Sequence, residues 1–401
     1  MKLLIVTHYF ESHRGGIEIV AGRLAREFAR SGLDVTWLAT DATPPPDGKA
    51  EPRLRAVGVS ATNLVERRIG IPYPVPAPSS FLRIVREVGI ADIVLIHDAL
   101  YLTSLAAFLA ARRHGKPVAV VQHIGAVPFK NQFLRRTMEV ANRLLTRPIL
   151  ARSDQAVFIS ESTARQFDGV KYRVRPEVIF NGVDTEIFVP PSGTEEIAAA
   201  RRHFGLPLER PVALFVGRFV EKKGLPVLER LARIRPDLAF AFAGWGPLDP
   251  RAWRLPNVRV FDTLSGPALA PLYRASDALV LPSTGEGYPL VVQEALACGL
   301  RVICGEESAN ADPEAASVID AVPVEPDDPD RTAARFERAL AKALIDTSNQ
   351  ARSARAELAA GRYSWPRAAA RYADVLRRLA AHRSARHPAP TGARASPQKG
   401  G

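Results

Sequence analysis

The strongest constraint on how this chain folds is a series of short, wholly apolar runs separated by longer stretches with helical spacing, and the series occurs twice. LLIV (3–6), VTWLA (35–39), IVLI (93–96), VAVV (118–121) and AVFI (156–159) form the first set. VALFV (212–216), AFAFAG (239–244), VRVF (258–261), ALVL (278–281) and RVIC (301–304) form the second. Runs of this length suit strands buried on both faces, and helices in the intervals cover a parallel sheet from either side. In GIEIVAGRLAREFARSG (16–32) apolar residues recur at helical spacing until Gly32 stops the pattern. A chain of 401 residues also exceeds what one core supports. The expected fold class is therefore α/β, with two doubly wound parallel-sheet domains over 1–183 and 184–363. The connection falls near 183–211, a polar stretch with Pro190 and Pro191. A last helix follows in 364–383, and a Pro-, Ala- and Arg-rich tail at 384–401 is expected to be disordered. Pro-rich stretches at 43–47 and 72–78 read as surface loops.

Several classes of function are disfavoured. No apolar run approaches the ~20 residues needed to span a bilayer, and MKLLIVTHYF is too short an apolar stretch for a signal peptide and reads as a first strand. Cys298 and Cys304 flank an apolar segment and read as buried thiols, so the cytoplasm is the default location. No G-x-G-x-x-G follows a run; Gly244-Trp245-Gly246 lacks the third glycine, which argues against a dinucleotide-dependent oxidoreductase. Neither a serine nucleophile elbow nor a His-rich metal motif is present. His8 and His97, beside their strands, read as hydrogen-bonded packing residues.

The chemistry lies in the loops after the second set of runs. In STGEGYPLVVQEALACG (283–299), Glu286 and Glu294 fall where the run ending at Leu281 passes into a helix beginning near Pro289. That edge of an open parallel sheet is where such folds bind ligands. Eight residues of helix rise about 12 Å, so two carboxylates can take hydroxyls at opposite ends of an elongated molecule, with an anion at the helix start between them. A nucleotide sugar has that order of groups. Two solvated glutamates at a helix start fit the same residues. In VALFVGRFVEKKG (212–224) a strand and a glycine turn lead to Arg218 and Lys223, a planar fork and a compact charge suited to phosphate. A solvated turn is the plainer reading of that loop alone; cations in one loop and carboxylates in the other are harder to dismiss together.

These segments resemble the family 4 glycosyltransferases, retaining enzymes of the GT-B fold, over nearly all of residues 1–380. The resemblance is carried by Gly15-Gly16-Ile17-Glu18, His123 in VVQHIG, Asn181-Gly182-Val183-Asp184, Gly217-Arg218 with Lys223-Gly224, Gly244-Trp245-Gly246-Pro247, and the run from Glu286 to Glu294-Ala295. It implies Rossmann-like domains facing across a cleft, the first for acceptor and the second for donor, with the last helix crossing back to the first. It implies a donor site of Gly15, Gly16, Arg218, Lys223, Glu286, Gly287, Tyr288, Pro289, Leu290 and Glu294. Arg218 and Lys223 would hold the diphosphate, Glu286 the transferred sugar and Glu294 the ribose. The implied catalytic set is His123, Arg218, Lys223 and Glu286, with His123 and the Gly15-Gly16 loop closing from the opposite domain.

The expected reaction moves a hexosyl unit from a nucleotide-diphosphate sugar to an acceptor hydroxyl with retention, on a glycan or lipid-linked glycan, in cell-envelope or polysaccharide synthesis. The sequence offers no obvious carboxylate nucleophile, so catalysis is expected to rest on positioning and electrostatic stabilisation of the leaving diphosphate. No cofactor or metal is expected. Asp328-Pro329-Asp330 has the form of a metal-binding signature of other glycosyltransferases but reads as a turn capping the next helix. Two departures from the family are Trp245, where an aspartate is usual, and GEESANADPEA (305–315), to which no ligand contact is assigned. A nucleotide-sugar epimerase or hydrolase, or a non-catalytic basic membrane- or partner-binding protein, are the alternatives.

The net charge of +12 is unevenly placed. Lys and Arg outnumber Asp and Glu by 25 to 16 in residues 1–180 and by 4 to none in 381–401, while 181–380 is balanced at 25 to 26. In FKNQFLRRTMEVANRLLT (129–146), Leu134, Met138, Ala141 and Leu145 form one helical stripe, with Arg136, Arg143 and Arg147 opposite. Either this helix docks on its own sheet with a solvated basic face, or the basic face meets anionic lipid. The second reading places the enzyme at the inner face of the membrane. Nucleic acid is not an expected partner, since no recognised binding motif accompanies the charge.

Overall fold

A computed structural model describes residues 1–47, 51–125, 132–262, 264–345 and 348–386. In chain order the strands are β1 (Lys2–Val6), β2 (Asp34–Thr40), β3 (Leu54–Val59), β4 (Ala61–Thr62), β5 (Val75–Pro76), β6 (Ile93–His97), β7 (Val118–Gln122), β8 (Gln155–Phe158), β9 (Glu177–Val178), β10 (Val212–Val216), β11 (Ala239–Ala243), β12 (Val258–Phe261), β13 (Ala278–Leu281), β14 (Arg301–Gly305) and β15 (Ile319–Val322). They form a seven-stranded sheet, β3-β2-β1-β6-β7-β8-β9, and a six-stranded sheet, β12-β11-β10-β13-β14-β15. Both are parallel throughout. The architecture is the GT-B arrangement of two doubly wound sheets.

Every apolar run singled out in the sequence is a strand; all five residues of β6, β7, β10 and β11 are buried, whereas β12, at a sheet edge, buries only Val258. The helix Gly16–Arg30 buries Ile17, Val20, Ala21, Leu24, Ala25 and Phe28 on one face, the spacing of an amphipathic helix on a sheet. Cys298 and Cys304 are both buried free thiols, and burial pushes both pKa values up.

The chain departs from its sequence reading in four places. Strands β3, β9 and β15 lie at or beside sheet edges, where half-exposed positions admit Arg55, Gly58 and Asp320 and erase the apolar signature. The stretch 183–211 is not a plain connection: it contains the helix Thr194–His203, whose buried Arg201 donates to the carbonyls of Ala275, Leu208 and Arg210 and to Asp277. Residues 72–78 are more than a loop, because β5 pairs with β4 and Pro78 opens the helix Pro78–Ile90. Finally, no residue of the helix Gln132–Ala141 is buried, so it does not dock on its sheet.

The two sheets are joined twice at one place. Val183 N donates to the Tyr363 carbonyl at 2.5 Å and Val183 bridges Ser364. From there the helix Trp365–Arg386 sets Trp365, Tyr372, Val375, Leu376 and Leu379 into the core of the first sheet with Leu3, Ile5 and Trp37. The tail expected at 384–401 lies, beyond Arg386, outside the described residues.

Candidate active site

The C-terminal edges of the two sheets face each other, and the loops that leave them make the site. After β10, the Glu221–Lys223 turn ends at Gly224, which has φ +77° and could not carry a Cβ without meeting the Pro282 carbonyl at 2.3 Å. That close approach holds the cationic loop against the loop after β13. Lys223 Nζ donates to Glu286 Oε2 at 2.7 Å, with both side chains largely buried. Burial pushes the Glu286 pKa up, but Lys223 and Lys222 outweigh it and hold the carboxyl below its usual range. Arg218 lies with its guanidinium carbon 4.9 Å from the centre of the Trp245 ring, a cation–π arrangement. Its buried Nε has no hydrogen-bond partner among the described residues.

Glu286 lies in the loop, not on the helix. The helix is Leu290–Ala297, with Pro289 at its N-cap, so only half of the interval from Glu286 to Glu294 is helical and the rise of a continuous helix does not apply. Glu294 sits within the first turn and a half, where the Tyr273 hydroxyl donates to its Oε2 at 2.7 Å. Burial raises its pKa to about 7, against the opposing effects of Tyr273 and Arg23. Tyr288 is buried and donates its hydroxyl to that of Tyr363, which in turn donates to Asp312. Its hydroxyl is thus held at the place where Val183 and Tyr363 join the two sheets, while the residue also lines the interdomain cavity.

A cavity of about 190 Å³ collects residues of both domains, among them Gly16, His123, Glu286, Gly287, Tyr288, Pro289, Leu290 and Lys222. The domains are close here: a Cβ on Gly287 would stand 2.7 Å from the His123 carbonyl oxygen, and Ser162 Oγ donates to the Gly287 carbonyl at 3.2 Å. Gly15 is the N-cap of the first helix, and the Glu18 carboxylate is folded under it, 2.2 Å from where a Cβ would be. Of the residues expected at the donor, Gly15, Arg218, Lys223 and Glu294 do not line this cavity. Lys223 reaches it through Glu286, Arg218 faces a larger neighbouring cavity, and Glu294 lies a turn further along its helix.

His123 is buried with its Nε2 3.0 Å from His97 Nδ1. Burial, then His8, lowers its pKa to about 3. Burial thus favours the neutral ring, and His123 forms one wall of the cavity. His8 is a buried, hydrogen-bonded residue as its position suggested, its Nε2 2.9 Å from buried Glu18.

Sequence reasoning missed three participants. Glu307, in the segment given no role, accepts from Gly285 N at 2.7 Å and from Gln166 Nε2 at 3.1 Å, and so ties the Glu286 loop to the first domain. Lys222 lines both this cavity and the larger one; desolvation of its ammonium lowers its pKa while Glu286 pulls the other way. Glu66 accepts from the Tyr9 hydroxyl at 2.7 Å and lies 2.9 Å from His13 Nε2. Only Lys222 had a local signal, its place beside Lys223. By contrast Asp328 does cap the helix Pro329–Ala343, accepting from Arg331 N, and Asp330 pairs with Arg230 at 2.7 Å.

Two doubly wound parallel sheets with their edges paired in this way form the GT-B fold. Residues 14–187 match the family described as Glycosyltransferase Family 4, and residues 210–342 match Glycosyl transferases group 1. The chain is a family 4 glycosyltransferase of the GT-B fold. Among its relatives, the D-inositol 3-phosphate glycosyltransferase of Xylanimonas cellulosilytica is 29% identical, over 93% of this chain and 94% of the relative. That of Thermomonospora curvata is 32% identical over 56% and 59%. In fold the chain is similar to sucrose-phosphate synthase from Thermosynechococcus elongatus, with a TM-score of 0.75 at 18% identity over 95% of this chain and 100% of the other. It is also similar to Anabaena Alr3699/HepE in complex with UDP-glucose, with a TM-score of 0.67 at 17% identity over 94% and 100%.

Proposed function

We propose that the protein transfers a hexosyl unit from a nucleotide-diphosphate sugar to an acceptor hydroxyl with retention. The observation that carries this reading is the pairing of Lys223 with Glu286, which lines the interdomain cavity, while Arg218 of the same cationic loop lines the adjoining one. Arg218 and Lys223 bind the diphosphate, Glu286 takes hydroxyls of the sugar, and Glu294 those of the ribose. Negative charge grows on the phosphate oxygen as its bond to the anomeric carbon breaks, and two fixed cations stabilise that charge more than the ground state. The acceptor oxygen forms the new bond on the same face, and its proton passes to the departing phosphate oxygen. In this reading His123 lines the cavity, and the phosphate oxygen rather than its ring takes the acceptor proton. The cations and the start of the helix Leu290–Ala297 supply the charge stabilisation, so neither a cofactor nor a divalent metal is required.

Uridine diphosphate sugars are the first donors to test, because UDP and UDP-glucose occupy the similar fold of the Anabaena protein. The names of the relatives make D-inositol 3-phosphate the reference soluble acceptor. We place the enzyme at the inner face of a membrane in cell-envelope or polysaccharide synthesis. Support for that location is the basic excess of the first domain and the exposed Arg136 and Arg143; none of the helices among the described residues is long and apolar enough to cross a membrane. Arg147 leaves this set, as it donates to the carbonyls of Gln166 and Asp168 and packs over Phe167.

The decisive measurement is acceptor-dependent release of the nucleoside diphosphate, with the anomeric configuration of the product read by NMR. Retention is expected. Release without acceptor, or sugar interconversion, would make the protein a hydrolase or epimerase; an inverted product would refute the mechanism.

A further inference from the structure

Beside the donor cavity lies a larger one of about 490 Å³ whose walls are mostly apolar, within the range of small-molecule sites. One wall is the face of the helix Gln132–Ala141 and its continuation that carries Leu134, Met138 and Leu145; Ile71, Pro72 and Tyr101 line other parts. Its charged groups are Asp98, Arg218 and Lys222. Asp98 is engaged, accepting from Gln122 Nε2 at 2.9 Å and Ile124 N at 3.1 Å. Both cations come from the donor domain, and Lys222 and Ile124 also line the donor cavity. The space is thus an apolar chamber whose charged side adjoins the place where the transferred sugar would lie.

That distribution selects among acceptors. Among the described residues no Lys or Arg of the first domain lines the chamber, so a phosphorylated polyol would find cations only on its donor side, and most of its hydroxyls would be desolvated against apolar walls. A hydrocarbon group loses nothing there. The same helix also indicates where such a group comes from. On its outer side Phe133, Val140 and Leu144 are 76%, 54% and 65% exposed, and Arg136 and Arg143 are exposed next to them on the helix surface. Bulky apolar residues flanked by arginines are the pattern of a helix lying in a membrane interface. One helix therefore presents one apolar face to the chamber and another outward.

We propose that this chamber holds the hydrocarbon portion of a lipid acceptor drawn from the membrane, with the acceptor hydroxyl directed to the Lys222 and Ile124 side, toward the donor sugar. The proposal rests on the glycosyltransferase reading above, and names the acceptor class that reading leaves open.

The test uses the full chain saturated with UDP and a series of n-alkyl β-D-glucopyranosides from butyl to decyl, each below its micelle concentration, with affinity measured by calorimetry. Affinity is expected to rise by up to about fourfold per methylene, the equivalent of ~0.8 kcal/mol, until the chamber is filled. Met138→Glu, at a half-exposed position, is expected to flatten the series while leaving UDP affinity unchanged; Met138→Leu should retain it. A flat series with the parent protein overturns the proposal, as does a slope that Met138→Glu leaves intact. Use of D-inositol 3-phosphate by parent and Met138→Glu alike would also overturn it. Phe133→Ser with Leu144→Ser should lower binding to anionic vesicles but not to the dissolved glucosides; equal vesicle binding would refute the membrane source. Because these are binding measurements, they remain readable if no donor sugar is turned over, a failure that would bear on the reaction instead.

Discussion

Replacing Glu294 by Gln tests whether the donor site carries strain in the empty enzyme. The carboxyl is buried against Tyr273, and its pKa rises from the usual 4.5 to about 7. For a carboxyl raised on folding, the sign is as follows. Below pH 4.5 it is protonated in both the folded and unfolded chain, and no penalty exists. Between 4.5 and 7 the unfolded chain ionises first, so each rise in pH disfavours the folded state; above 7 both are ionised and the penalty is complete. A displacement of this size, at ~1.36 kcal/mol per pH unit, amounts to about 3 kcal/mol.

Gln keeps an oxygen to accept from Tyr273 but cannot ionise. Relative to the parent, Glu294→Gln should therefore gain about 3 kcal/mol between pH 4.5 and pH 8. For a domain of 150–250 residues that is a relative shift in Tm of roughly 6–12 °C, read by differential scanning fluorimetry across the pH series. Taking the difference of the two proteins at each pH removes every other titrating group. A ribose whose hydroxyls donate to the carboxylate favours the ionised form, so UDP binding near pH 7 should release protons from the parent and not from the variant. Calorimetry in buffers of different ionisation enthalpy detects this. Parallel stability curves, or equal proton release, would refute the reasoning.

Arg218→Ala and Lys223→Ala should each lower kcat/KM by about 10²–10³, the scale for one donor to a developing oxyanion; full activity of both folded variants would remove them from the site. Lys223→Ala also leaves the Glu286 carboxylate without its 2.7 Å partner, so Lys223→Ala with Glu286→Gln should be more stable by chemical denaturation than Lys223→Ala alone. Activity should survive EDTA; restoration by Mg²⁺ or Mn²⁺ after loss would return the Asp328 and Asp330 turn to consideration as a metal site. Arg136→Gln with Arg143→Gln should weaken co-sedimentation with anionic liposomes at low salt by about 1 kcal/mol per arginine, with UDP binding unchanged, and a salt-insensitive interaction would contradict the electrostatic basis.

What the sequence made legible follows from where each residue finds its partner. Strands such as β10 and β11 read clearly because burial on both faces demands apolar residues at every position, whereas β15 tolerates Asp320 because Arg301 of the neighbouring strand pairs with it. The nearness of Lys223 to Glu286 was legible because short loops fixed at the ends of buried strands have little choice of position. Glu307 was not, since its meaning depends on Gly285 and on Gln166, 141 residues away. Lys222 and Lys223 are indistinguishable as letters; only the turn that ends at Gly224 sends one to Glu286 and the other to the border of both cavities. The stripe of Leu134, Met138 and Leu145 shows the limit most plainly. Its period announces an apolar face that wants cover, and the natural assumption is that the chain supplies the cover itself. Here the described residues leave a chamber against that face, beside the donor cations. A binding site is a place where local pattern and the chain's own packing disagree, which is why a sequence read for self-consistency passes over it.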